Sequence, residues 1–265
     1  MTGYTHGYAE TILRSYDRRT AENSAGYLLP HLREGQRLLD VGCGPGTITA
    51  DLAARVAPGR VTGLDAEASM TERAAAVAAD RGLTNVDFEV GDVHALPFED
   101  ETFDVVHAHQ VLQHLADPVR ALREMRRVCR PGGYVAARDG DYGAFVWYPS
   151  VDGLQEWRDL YCRVARHNGG EPDAGRRLLQ WARAAGFSEV APGAAVTCHA
   201  SPEARAAWGG MWAERMVATR IAELAVDNGL STRDELDRIS RAWTEWSQSP
   251  DGWFAVVHGE ILCRP

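Results

Sequence analysis

The stretch Leu38-Leu39-Asp40-Val41-Gly42-Cys43-Gly44-Pro45-Gly46-Thr47 constrains this chain more than any other. An apolar strand runs into a glycine-rich turn, and the turn opens into a helix. Glycines 42, 44 and 46 let the backbone turn tightly and come close to a bound ligand. The backbone N–H groups of the turn and of the helix start then face that ligand. Asp40 adds a carboxylate at the carboxyl end of the strand, the edge where ligands bind in open α/β sheets. The spacing is Asp-x-Gly-x-Gly-x-Gly, which differs from the Gly-x-Gly-x-x-Gly of dinucleotide enzymes.

The strand–helix alternation repeats toward the C-terminus. A helix over 47–57 is stopped by Pro58-Gly59. A strand over 60–64 ends in Asp65, about twenty residues past the glycine turn, where an acid accepts both hydroxyls of a ribose. Met70, on the first turn of a helix over 67–79, suits either a flat base or the core. A strand over 86–90 leads to Asp92, placed to accept from an exocyclic amine, and to Val93. The next strand, 103–109, enters the stretch 110–115, and Pro118 opens a helix that runs to 129. A strand over 134–138 ends at Asp139. This alternation between 37 and 142 predicts an α/β fold with a doubly wound, mainly parallel sheet.

The flanks differ from this core. Residues 3–32 show helical spacing through Tyr8, Ile12, Tyr16, Tyr27, Leu28 and Leu32, which predicts two helices before the first strand. Tyr4, His6, Tyr8, Tyr16 and Arg19 on this leader either close over a ligand or pack on the sheet edge. All eight tryptophans lie between Trp147 and Trp253. Helices are expected over 151–167, 174–185, 202–227 and 231–247, the last opened by a capping box of Ser231 and Asp234. Further strands fall within 189–199 and 253–262, bringing the expected sheet to seven strands. With no linker or repeat, the expectation is a single domain: leader 1–35, core 36–142, and a remainder whose segments 143–171 and 200–249 form a helical lid. Tryptophan and methionine at helical spacing fit either a core or an aromatic-lined cavity.

Composition narrows the partners. With 265 residues and 45% hydrophobic content the chain can build a substantial core. Its net charge of −9 argues against a broad nucleic-acid footprint. No apolar run approaches ~18 residues, so no membrane span is expected. Met1-Thr2-Gly3-Tyr4-Thr5-His6 lacks a secretory pattern. Five cysteines without a Cys-x-x-Cys fit a reducing, cytoplasmic setting.

Taken in order, the strand-end motifs resemble those of class I S-adenosylmethionine-dependent methyltransferases. Within them the chain is similar to the ubiquinone/menaquinone-biosynthesis and small-molecule methyltransferase family. The resemblance covers about 36–140: the Asp40–Gly46 turn, Leu64-Asp65, Gly91-Asp92 followed by Leu96-Pro97-Phe98, Phe103-Asp104-Val105-Val106, and Arg127 to Gly133. In the last motif Cys129 and Arg130 stand where Leu and Lys are common. The resemblance implies a Rossmann-like sheet and S-adenosyl-L-methionine as cofactor. It further implies that Asp40, Gly42, Gly44 and Gly46 form the cofactor turn and that Asp65 binds the ribose. Ala66 and Met70 would flank the adenine, Asp92 and Val93 would address its edge, and Arg19 or Tyr16 would reach the cofactor carboxylate. His109 and His114 stand where the family contacts sulfonium or substrate.

Methyl transfer from a sulfonium needs mainly alignment, with a base only where the nucleophile must lose a proton. His109, His114, Asp139 and Asp141 are the candidates. His109 is the expected catalytic residue, as base or polar guide, because a free imidazole titrates near ~6.5. His107 and His109 alternate onto one strand face, but no neighbouring acid or cysteine completes a ligand set, so no metal is expected. The expected acceptor is an O, N or C nucleophile of a small apolar or aromatic molecule. Ala108-His109-Gln110-Val111 replaces any Asn-Pro-Pro-Tyr-type base-flipping motif, so nucleic acid is not expected. Two rivals share features: an NAD-dependent oxidoreductase, and a methyltransferase-like fold that binds the cofactor for another reaction or for docking. No motif names the acceptor or the oligomeric state.

Overall fold

The computed structural model describes Thr5, Gly7, Tyr16 and residues 18–265. Tyr4, His6, Tyr8 and Ile12 of the expected leader helix lie outside the described residues. Helix α1, Ala21–Ala25, begins at Thr20, whose side chain accepts from the Asn23 N–H. A 3₁₀ turn over Leu29–His31 then leads into the sheet.

The first half alternates strictly: β1 Leu38–Val41, α2 Thr47–Val56, β2 Val61–Asp65, α3 Ala68–Asp80, β3 Val86–Val90, β4 Phe103–His109, α4 Pro118–Val128 and β5 Cys129–Gly140. The second half adds β6 Val146–Tyr148, α5 Asp152–His167, α6 Leu178–Ala184, β7 Glu189–His199, α7 Pro202–Ala218, α8 Arg220–Asp227, α9 Arg233–Gln248 and β8 Trp253–Arg264. The strands join in the order β3-β2-β1-β4-β5-β8, with β7 on the far side of β8. Strands β1 to β5 are mutually parallel, while β8 runs antiparallel to both β5 and β7. This is the expected doubly wound sheet. The three-residue β6 extends it by pairing with the start of β8.

Side-chain alternation divides the core between two faces. Leu38, Val61, Val105 and Ala136 pack under Leu28 and under Ile48 and Leu52 of α2. Leu39, Val106 and Ala137 face Leu122 and Met125 of α4 and Leu178 of α6. A third cluster joins α5, α7, α8 and α9 to the first half of β8. There Trp157, Trp212, Trp243 and Trp246 are fully buried. Trp157 stands edge-on to Trp212 at 4.6 Å and to Trp243 at 4.8 Å, a favourable aromatic geometry.

Some boundaries differ from the sequence reading. The expected helix over 202–227 is two helices, because Thr219 is extended (φ −130°, ψ 176°) and its hydroxyl donates to the Arg215 carbonyl. The capping box is Thr232 with Glu235, not Ser231 with Asp234. The Thr232 hydroxyl accepts the Glu235 N–H, and the Glu235 carboxylate accepts the Thr232 N–H. Helix 174–185 shortens to α6 behind a 3₁₀ turn over Gly175–Arg177.

Candidate active site

Chain order reverses across β1: β2 pairs on one side of it and β4 on the other. A crevice opens there, at the strands' carboxyl ends. Gly42, Gly44 and Gly46 all take left-handed φ angles of 66°, 52° and 80°. A Cβ at Gly42 would collide with Val111, and one at Gly46 would lie 2.6 Å from the Ala74 Cβ of α3. Gly46 is therefore needed where α2 crosses α3. The other eleven expected cofactor residues line the crevice, and Gly46 sits between its lining neighbours Pro45 and Thr47.

The crevice encloses about 500 Å³. Asp65 stands at the end of β2. Its carboxylate accepts the Gly44 N–H at 2.9 Å and the Glu67 N–H at 3.1 Å. Burial raises its pKa, and the backbone donors partly offset that. Ala66 and Met70 follow on one wall, and Asp92 and Val93 on another. Asp92 is held below the usual carboxylate range, chiefly by the His94 backbone N–H. Asp40 is committed to the protein itself: one oxygen accepts the Thr49 hydroxyl at 2.6 Å, and the other lies 2.7 Å from His107 Nδ1. Strand pairing supplies this acidic neighbour, which is absent from the local sequence around His107, and it spends the imidazole nitrogen on a hydrogen bond. A glycine cradle beside an acid that still has lone pairs fits a nucleoside with an amino-acid arm, as S-adenosylmethionine is.

A second cavity of about 490 Å³ lies toward the α7 side. Tyr142, Phe145, Trp208, Met211 and Trp212 give it an apolar wall. Its polar wall includes Asn23, Gln110, Arg138 and His258. The two cavities share Tyr16, Arg19, His109 and Gln110 as a rim. Gln110 has a φ of 55°, uncommon for a residue with a side chain, and follows β4 directly. Its amide oxygen accepts from Arg19 at 2.6 Å, and its amide nitrogen lies 3.0 Å from His258 Nε2.

His109 is buried on this rim and its Nδ1 has no hydrogen-bond partner. Burial pushes its pKa well below 6.5, with Arg19 and Arg138 acting in the same direction. That environment favours the uncharged ring and weakens it as a base. His114 lines the cofactor crevice and is pushed down to about 3, first by burial and then by Arg19 and Arg215. Asp139 is fully buried, accepts the Gln113 N–H at 3.1 Å, and lines neither cavity. Asp141 is clamped by Arg176. Sequence reading missed Gln110, Arg138 and His258. The signal it had was weak: Arg138 is a charged residue inside an otherwise apolar strand run.

The methyltransferase domain family matches residues 32–186. An uncharacterized methyltransferase of Schizosaccharomyces pombe is 33% identical, over 98% of this chain and 96% of its own length. Among solved structures, the YcgJ protein of Bacillus subtilis superposes with a TM-score of 0.60 at 19% identity, covering 92% of this chain and 98% of that one. A phosphoethanolamine N-methyltransferase of Haemonchus contortus, solved with S-adenosylhomocysteine, gives 0.54 at 18% identity, covering 88% of this chain and 50% of that one.

Proposed function

The chain belongs to the methyltransferase domain family and uses S-adenosylmethionine, and from that premise we propose that its methyl acceptor is a small apolar or aromatic molecule held in the second cavity. The observation that carries this reading is the shared rim of Tyr16, Arg19, His109 and Gln110. A nucleophile in the second cavity meets a methyl group presented from the crevice across that rim.

The cofactor supplies an activated methyl on a sulfonium with a neutral leaving group. The chain's part is to align and to exclude water, and orientation is a large share of such a rate. Gly42 and Gly44, which carry no side chain, let the turn come close to the amino-acid arm while their own N–H groups hold the Leu64 carbonyl and Asp65, and Asp65 takes the ribose hydroxyls with its remaining lone pairs. Ala66, Met70, Asp92 and Val93 surround the base, and Arg19 takes the carboxylate. His114 packs beside the arm. Neutral His109 orients the acceptor's nucleophilic atom as a hydrogen-bond partner and carries no proton away. The α7 wall, with Trp208 and Trp212, acts as the lid of a single domain.

The test is transfer of labelled methyl to a panel of hydroxylated, aminated and carbon-acid aromatics, beside thermal shifts with S-adenosylmethionine and NAD. A ligand that binds the folded state raises the melting temperature, by an amount that grows with the logarithm of its concentration over its Kd. The expected result is a shift with S-adenosylmethionine and none with NAD, and label on at least one aromatic. Cofactor binding with the label retained across the panel would instead favour a rearrangement or docking role.

A further inference from the structure

The second cavity has a charge that the whole chain does not. The chain's net charge is −9, yet the described residues lining the cavity include Arg18, Arg19, Arg138 and Arg215 against one carboxylate, Glu214. Arg138 is only 4% exposed. Its guanidinium donates to the Asn23 carbonyl at 2.6 Å and to His258 Nδ1 at 3.1 Å. Its Nε lies 3.7 Å from the Glu260 carboxylate and has no hydrogen bond. A buried guanidinium with donors to spare calls for a further acceptor.

The contacts around it show the same surplus. Arg138, His258, Gln110 and Arg19 form a chain of three contacts. Burial, reinforced by Arg138 and Arg19, pushes His258 down to about 3, so the ring is neutral with one N–H. Arg138 can only donate, so His258 accepts at Nδ1 and carries its hydrogen on Nε2. That hydrogen meets the Gln110 amide nitrogen, itself a donor. Flipping the amide satisfies His258 but turns the NH₂ toward Arg19, which also can only donate. With a donor at each end of the chain and a neutral link at each middle position, one contact always sets donor against donor. An acceptor-only group at this point resolves the conflict.

We propose that the methyl acceptor carries an anionic oxyacid group, of the carboxylate type, seated on Arg138 and the Gln110–His258 junction, with its aromatic body laid along Trp208, Trp212 and Tyr142. This rests on the reading that the second cavity holds the acceptor. The neutral state of His109 and His114 fits the same positive field, to which Arg19 contributes at both rings.

The cofactor's own carboxylate is the other source of such a group, so the test keeps it in place. Protein saturated with S-adenosylhomocysteine is titrated calorimetrically with 6-hydroxy-2-naphthoate and with the neutral 6-hydroxy-2-naphthamide. The naphthoate is expected to bind about tenfold or more tightly than the amide, the usual scale for a charge-assisted contact. Gln110→Glu supplies the missing acceptor from within. It is expected to raise the melting temperature and to abolish the preference for the naphthoate. Arg138→Gln is expected to reduce the preference as well. Equal binding of both probes overturns the anionic seat and leaves the acceptor cavity standing. Failure of both to bind, with S-adenosylhomocysteine still bound, overturns the cavity reading together with it. An undiminished preference in Gln110→Glu overturns the placement of the seat at the Gln110–His258 junction.

Discussion

Asp65 shows how one side chain can serve both fold and ligand. Its oxygens already hold the Gly44 and Glu67 N–H groups, so the acid shapes the turn before it meets a ribose. Asp65→Ala is therefore expected to lower S-adenosylmethionine affinity roughly ten- to a hundredfold in calorimetry and also to lower the melting temperature. Asp65→Asn keeps a carbonyl acceptor for one N–H group. It should recover the melting temperature more than the affinity, and equal recovery of both would leave Asp65 a purely structural role. His109 calls for a different measurement. Its pKa lies well below 6.5, so the pH–rate profile should show no inflection near 6.5 in the native enzyme or in His109→Gln. An acid limb centred there, and lost in the variant, would restore the imidazole as the base. Asp40, Asp65, Asp92 and His109 stood out in the sequence because each stands at or just past the carboxyl end of a strand. The further constraint on Gly46 was not legible, because it comes from Ala74 on another helix.

At the scale of elements, α7 is the informative one, since it walls the second cavity on one side and packs on α9 on the other. Its adjacent glycines face these two environments. A Cβ at Gly209 would lie 2.6 Å from the Ser247 Cβ and 2.9 Å from the Trp243 carbonyl, whereas one at Gly210 meets nothing within 4 Å. Gly209→Ala should force α7 and α9 apart and destabilise the protein by about 1–3 kcal/mol in urea unfolding. Gly210→Ala should instead gain about 0.5–1 kcal/mol of helix stability while narrowing the cavity it lines. The same loss at both sites would mean that α7 is not seated as described. Trp208 and Trp212 divide similarly. Trp212 is fully buried among Trp157, Tyr161 and Trp243, so it serves the core as well as the cavity. Trp208 is only partly buried and stacks on His199 at 4.4 Å, which makes it the cleaner probe of acceptor binding. The helical pattern of 202–227 carries no glycine or proline near Thr219, so the break between α7 and α8 could not be read locally. Beyond the break, α8 packs on α5, a contact remote in sequence.

At the scale of the molecule, the second cavity lies between parts of the chain that are remote in sequence. Gln110 and His258 are 148 residues apart, and only the order of the strands brings them together. That is why the cofactor half of the site was legible and the acceptor half was not. The same convergence buries several imidazoles in a positive field, and this sets a pH dependence for the whole fold. His114 and His258 are pushed down to about 3, His199 to about 4, and His109 well below 6.5. Each binds a proton more readily unfolded than folded. The stability they allow is fully present above about 6.5 and is lost as pH falls toward their folded values, at about 1.4 kcal/mol per pH unit for each ring. Asp139 opposes them. Burial pushes it up to about 8, so its folded form keeps a proton that the unfolded form releases near ~4. Its contribution is complete below that lower value and is lost as pH rises to about 8. Asp65 and Glu260, also raised by desolvation, act in the same direction as Asp139. Between about pH 5 and 6.5 the imidazoles outnumber the acid, and stability should climb; between about 6.5 and 8 the acid acts alone, and stability should decline more gently. Urea unfolding free energies are therefore expected to peak near about pH 6.5. In Asp139→Asn the acid branch should keep its slope or steepen slightly, while the alkaline decline flattens. A native protein equally stable at about pH 5 and 6.5 would show that these rings are not held neutral, and with that the positive field around the rim would lose its support.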